Sequence, residues 1–205
     1  MIEKLLPLSR KKLEFLKSVY ENQPTHLRKV SADTKIHPYL LTKIIDSLHT
    51  AKIIEQTKAG KTILLALNKA YEDLEQVTYI IEYFKQKTDK KVLAKIIKNT
   101  KAQFSNNSEI LTCCLFGSYA RGAESKDSDV DLLFVVRSKE QEKEITKKLS
   151  QLGTLLNIEF SPVIMDETEF KVALSTKEPT MVTLLKPSQR TVIFGIEFFL
   201  RSTNS

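Results

Sequence analysis

Between Leu115 and Val136 the chain reads LFGSYARGAESKDSDVDLLFVV, and several of these residues have the types and spacing for phosphate and metal chemistry. A glycine at a turn lets a phosphate approach the backbone, and the Ser118 hydroxyl, with the first amides of a short helix over YARGAE, would donate to it. Arg121 lies three residues past Ser118, so on a helix it faces the same way and adds positive charge against the same phosphates. Asp129 and Asp131 are i and i+2, which on a strand puts both carboxylates on one face, with backbones about 6 to 7 Å apart. Like charges so placed repel and are costly to desolvate, and a divalent cation removes that cost. Hard oxygen ligands suit Mg²⁺ or Mn²⁺, which also hold substrate phosphates. A third carboxylate is then expected on a neighbouring strand. Glu159, in LLNIEFSPVIM read as a strand from Leu155 to Met165, takes that place as metal ligand or general base. Asp127 in the loop before the aspartate strand is a weaker candidate. Asp166 and Glu167 look like helix-start acids.

The elements that must hold these groups follow from periodicity. EILTCCLF, Glu109 to Phe116, reads as the strand leading into the Gly117-Ser118 turn. Cys113 and Cys114, the only cysteines, would point to opposite faces of it as core filler. TDKKVLAKIIKNTKAQF reads as a helix capped by Thr88, with Val92, Leu93, Ile96 and Ile97 inward. Before it, NKAYEDLEQVTYIIEYFKQK reads as a connector helix over residues 68–87, with Leu74, Val77, Ile81 and Phe84 on one stripe. That stripe packs on the chain itself or on a second copy, and a homodimer is expected.

The net charge of +7 is unevenly placed: residues 1–67 hold 12 Lys+Arg against 6 Asp+Glu, and the remaining 138 residues hold 20 against 19. The first third therefore faces the polyanion. There, Ser9 precedes a helical stripe of Leu13, Phe15, Leu16 and Val19. Pro24 stands where a second helix over THLRKVSADT can start. A third helix from Pro38 puts Leu41, Ile44, Ile45 and Leu48 on one face and Tyr39, Thr42, Lys43 and Asp46 on the other. AKIIEQTK and KTILLALN then read as a hairpin turning at Ala59-Gly60. His26, His37 and His49 lack ligand-like spacing. Three helices closed by a small hairpin resemble a winged helix-turn-helix domain over Ser9 to Leu67. The likeness implies double-stranded DNA as partner, with Tyr39, Thr42 and Lys43 as base or phosphate contacts and Lys58 and Lys61 reaching the backbone. A winged helix that binds protein instead is the alternative.

GSYARG, five residues, then SDVDL resembles the minimal nucleotidyltransferases of the DNA polymerase beta superfamily, a likeness that covers about Asp89 to Phe199 and takes TVIFGIEFF as the last strand. Together with the winged-helix likeness and the connector stripe, it implies an α+β chain with three parts: a winged helix-turn-helix at 1–67, a connector helix at 68–87, and a mixed-sheet transferase domain at 88–205. By the same likeness Gly117, Ser118 and Arg121 would hold a nucleoside triphosphate, ATP by expectation. Asp129 and Asp131 would bind the metal ions, and Glu159, where the family often has Asp, would complete the set. The implied reaction is two-metal, in-line transfer of a nucleotidyl group to an unknown acceptor, with a toxin-like protein as one possibility. Two rivals remain: a transcription regulator using an inactive transferase domain as a nucleotide sensor, and an enzyme modifying nucleic acid. No apolar run of membrane-spanning length and no signal-peptide pattern is found, so a cytoplasmic location is expected.

Overall fold

In the computed structural model, which describes residues 9–125 and 128–203, Ser9 accepts a hydrogen bond from the Lys12 amide at 3.3 Å and so starts α1 (Arg10–Asn22). The chain divides into two units, Met1–Phe84 and Lys85–Ser205.

In the first unit α1 is followed by β1 (Thr25–His26), α2 (Leu27–Thr34), α3 (Pro38–Thr50), the hairpin β2 (Ile54–Ala59) and β3 (Thr62–Leu67), and α4 (Leu74–Lys85). The strands form an antiparallel sheet in the order β1-β3-β2. Thr25 and His26 pair with Leu65 and Leu64, so the helix expected from Pro24 starts at Leu27 instead. His26 caps it, its Nδ1 accepting the Lys29 amide at 3.2 Å. The connector helix expected from Asn68 likewise begins later, at Leu74, the first residue of its apolar stripe. Asn68 binds the Lys52 carbonyl at 2.8 Å and accepts the Ala70 amide at 3.0 Å, which fixes a turn where helix was expected. Val77 and Ile81 of α4 are buried in the core of this unit with Phe15, Leu41, Leu48, Ile54 and Leu65. The Tyr20 hydroxyl donates to the buried Glu82 carboxylate at 3.0 Å, tying α1 to α4.

The second unit runs α5 (Lys91–Phe104), β4 (Ile110–Leu115), α6 (Gly117–Arg121), β5 (Val130–Val136), α7 (Glu142–Leu156), β6 (Phe160–Asp166), α8 (Glu167–Ser175), α9 (Pro179–Leu185), β7 (Thr191–Phe194) and α10 (Ile196–Thr203). Its mixed sheet has the order β6-β5-β4-β7, with β5 and β6 parallel and the other pairs antiparallel. VDLLFVV lacks alternation because both faces of β5 are covered. Leu132 and Phe134 pack towards α5 and α7, while Leu133 and Val135 pack towards α8, α9 and α10. Cys113 and Cys114 fall into these two opposite layers, both fully buried. Val92, expected inward, is 51% exposed, and α5 begins at Lys91, past Thr88. TVIFGIEFF is a strand only to Phe194. Gly195, at φ 68°, turns the chain into α10, and a Cβ there would overlap the Leu111 carbonyl. Among the described residues no helix is long and apolar enough to cross a membrane.

Phe134 meets Phe104 edge-on at 5.1 Å between ring centres, both buried. Phe134→Ala is expected to lower unfolding stability by about 3–5 kcal/mol, read from denaturant titration.

Candidate active site

β4 ends one residue before the turn that matters. The Phe116 amide donates to the Asp131 carbonyl at 3.1 Å, which lays the next residue, Gly117, against the Asp131 side chain. Gly117 has φ 70°, a conformation glycine adopts freely. A Cβ there would sit 2.8 Å from Asp131 Cγ and overlap Oδ2. Two independent demands thus fix glycine at 117: the backbone's hand and the carboxylate's closeness.

From this turn α6 carries Ser118, half-buried, and Arg121. The buried Tyr119 ring anchors the helix to the sheet layer beneath it. α6 ends at Gly122, where Lys90 Nζ binds the Gly122 carbonyl at 3.2 Å and Glu124 at 2.9 Å. The Lys90 hydrogen bond holds the Glu124 carboxyl below its ordinary range. This clamp on the loop into β5 has no local signal in sequence, since its partners are 34 residues apart.

Asp131 is half-buried at the start of β5, and Asp129, two residues earlier, is exposed. Partial burial above all, then the Asp129 charge, push the Asp131 carboxyl up, and the Arg121 guanidinium opposes them. Gly117, Arg121, Asp129 and Asp131 are therefore brought together, with Ser118 on the connecting helix.

Glu159 stands at the mouth of β6, its carbonyl accepting the Val130 amide at 2.8 Å, which sets its backbone beside Asp129. α7 runs to Leu156 and is closed by Asn157 in the left-handed conformation, so the strand expected from Leu155 begins only at Phe160. Exposed Glu159 lines a cleft of about 520 Å³ with Thr146, Ser150, Thr154 and Asn157 along α7. The residue that registers with Asp131 on β6 is Ser161. Counting back by twos from Val163 and Met165, which pack in the same layer as Leu133, finds it in the sequence. Asp166 and Glu167 start α8, with Asp166 and Glu169 forming a reciprocal cap at 2.8 and 2.9 Å. Asp127 lies outside the described residues. Among the described residues, no three His, Cys, Asp or Glu side chains gather closely enough to hold a metal ion.

Asp129 and Asp131 nevertheless fit a divalent cation. Both offer hard oxygens, and the Asp129 charge acts on the half-buried Asp131 carboxylate, which a cation between them would relieve. They fit a cation that completes its shell with phosphate and water.

In the first unit Tyr39, Thr42 and Lys43 are exposed on α3, and Lys58 and Lys61 on the hairpin. Lys43 Nζ lies 4.6 Å from the Tyr39 ring centre. Thr42 and Lys61 line one cleft of about 770 Å³ with Arg28, Asp46 and Gln56, whereas Lys58 stands further along β2.

Residues 98–178 match the family model described as Polymerase beta, Nucleotidyltransferase. This stretch holds the Gly117 turn and both aspartates. Among curated proteins none matches. Similar solved structures include the "toxin-antitoxin with AMP-PNP", 20% identical over 54% of this chain and 82% of that one, with a TM-score of 0.36. A "protein with unknown function from Listeria innocua Clip11262" is 14% identical over 77% and 79%, with a TM-score of 0.35. "RV1404 from Mycobacterium tuberculosis" is 16% identical over 51% and 78%, also at 0.35.

Proposed function

We propose that the second unit transfers a nucleotidyl group, AMP from ATP, to an acceptor hydroxyl, and that the first unit is a winged helix-turn-helix that binds double-stranded DNA. The observation that carries the transferase reading is Gly117 laid against Asp131, with Asp129 and Arg121 acting on the same carboxylate. In this reading Gly117 and Ser118 receive the triphosphate, and Arg121 balances its charge. Asp129 and Asp131 hold Mg²⁺ or Mn²⁺. A bound cation would neutralise charge on the phosphates and polarise the α-phosphorus. The acceptor oxygen bonds to that phosphorus, the bond to the bridging oxygen breaks, pyrophosphate leaves with the electron pair, and the acceptor proton passes to water. The acceptor is taken as a partner protein of the toxin kind, the active species as a homodimer.

Nucleotide binding without turnover, in a regulator, is the second reading; the neutral Ser161 beside Asp131 favours it. ATP labelled at the α-phosphate, incubated with the protein, Mg²⁺ and cell lysate, separates them. Label moved to protein or small molecule supports transfer, and label on RNA or DNA points to a nucleic-acid substrate. No transfer with nucleotide still bound supports the regulator.

DNA affinity is expected to fall steeply with salt, because residues 1–67 hold 12 Lys+Arg against 6 Asp+Glu. Lys58→Ala and Lys61→Ala should each lower the slope of log affinity against log salt by about 1. Salt-insensitive binding, or slopes unchanged in both variants, would turn the first unit into a protein-binding module.

A further inference from the structure

We infer that the exposed face of α5, a line of lysines that begins beside α6, is where the acceptor docks, and that the acceptor is a protein presenting an acidic helix. Calling the docked partner the acceptor rests on the transfer to protein proposed above.

α5 contains Lys91, Lys95, Lys98 and Lys101 and no acid. By contrast, α1, α2, α7, α8 and α10 each pair an acid with a base four residues away, as Lys29 with Asp33 and Lys171 with Glu167. On α5 the same spacing joins Lys91 to Lys95, like charges that weaken a helix, and Lys91 stands at the end where the macrodipole is already positive. The helix holds because Ile96, Ile97 and Phe104 are buried beneath it. Lys101 bonds to Gln86 Oε1 at 3.3 Å, and Lys90 to Glu124. Lys91, Lys95 and Lys98 are left exposed at i, i+4 and i+7, and among the described residues none of them has an ion-pair partner. A face that sets three unpaired cations in line, at a cost to its own helix, suits an anionic partner from outside the chain.

Seven residues of helix put Lys98 about 10 Å from Lys91 along the axis, so a partner helix with acids at the same spacing meets all three lysines. Val92, 51% exposed beside Lys91, adds an apolar contact of the kind that protein interfaces bury. The one aromatic residue of α5, Phe104, is buried, so the face has no platform on which the bases of a single strand would stack. The near end of the line adjoins the nucleotide site. Lys90, next to Lys91, binds the Gly122 carbonyl at 3.2 Å, one residue past Arg121. A protein lying along α5 therefore reaches the end of α6, the helix that carries Ser118 and Arg121.

The test uses the full chain and fluorescent probes: a helical alanine peptide with glutamates at i, i+4 and i+7 and one leucine, a single-stranded RNA, and double-stranded DNA. Anisotropy at low salt is expected to show peptide binding that weakens about tenfold when Lys91→Gln, Lys95→Gln and Lys98→Gln are combined. Lys91→Glu alone, a change favoured at a helix N-terminus, should also weaken it without lowering the melting temperature. Carbodiimide, which joins carboxylates to amines in contact, should link the peptide to these three lysines. The affinity for an ATP analogue should not change in either variant, while label passed from ATP to lysate protein should fall. Peptide affinity unaltered in both variants, or cross-links confined to lysines of the first unit, would overturn the inference. RNA bound more tightly than the peptide and lost in the combined variant would also overturn it, making the face a nucleic-acid surface. Equal labelling of protein by the unaltered chain and the combined variant would overturn it while sparing the transferase reading. An unaltered chain that labels nothing, with the peptide still docked on α5, would instead remove the transferase reading, and the acceptor role with it.

Discussion

Asp131→Asn is expected to cut nucleotidyl transfer at least about a hundredfold and, in the same protein, to raise the unfolding temperature at neutral pH. The first effect follows from losing a direct cation ligand, since even groups one step removed from a metal cost about 10–100-fold. The second follows from the raised Asp131 carboxyl, whose causes are burial and the Asp129 charge. Its folded pKa exceeds its unfolded one, so the unfolded chain releases the proton first as pH rises. The ionised carboxylate then costs stability, a cost absent below the ordinary aspartate range and complete once pH passes the raised folded value. Melting temperatures of Asp131→Asn and the unaltered chain should therefore converge in acid and separate towards neutral pH, with the variant higher. A variant that melts lower at neutral pH, or a gap that widens in acid, would contradict this account of the site. Stability and activity moving in opposite directions is what a functional group held against its own preference produces.

Gly117→Ala should be strongly damaging to the site. The left-handed backbone alone costs about 1–2 kcal/mol for a residue with a Cβ, and the new carbon would overlap the Asp131 carboxylate. Both partners of the overlap lie in the site, so any relief displaces either the turn or the cation ligand. Nucleotide affinity, measured by calorimetry, is expected to fall tenfold or more. A double-mutant cycle isolates the cause: in an Asp131→Ala background the stability penalty of Gly117→Ala should shrink to the backbone share. A penalty equal in both backgrounds would mean that the carboxylate contact is irrelevant.

The elements nearest the chemistry were readable because their signals are local. Ser9 as a cap, the buried stripe of α3, the Gly60 hairpin and the continuous apolar run of β5 each declare themselves within a few residues. Errors arose where two periods fit the same letters. LLNIEFSPVIM begins with the last turn of α7, and only the left-handed Asn157 marks the change from helix to strand, so the strand starts at Phe160 rather than Leu155, with Glu159 at its mouth. The IEFF of TVIFGIEFF is equally apolar in either state, and the turn at Gly195 is imposed by the nearness of Leu111, 84 positions away in the chain. Thr25 and His26 became a strand because β3 offers an edge to pair with, a tertiary effect that a proline-led helix pattern conceals. The Ser161 partnership with Asp131 required the register of two strands, which no single segment encodes.

The two adjacent thiols of β4 offer a way to watch this sheet. Each is sealed in a different layer, with 0% exposure, and burial pushes the Cys113 thiol well up, so neither reacts while the strand stays paired between β5 and β7. Alkylation by a thiol reagent consequently clocks the opening of the central strand, and a ligand seated at the far end of β5 should slow that clock for both sulfurs alike.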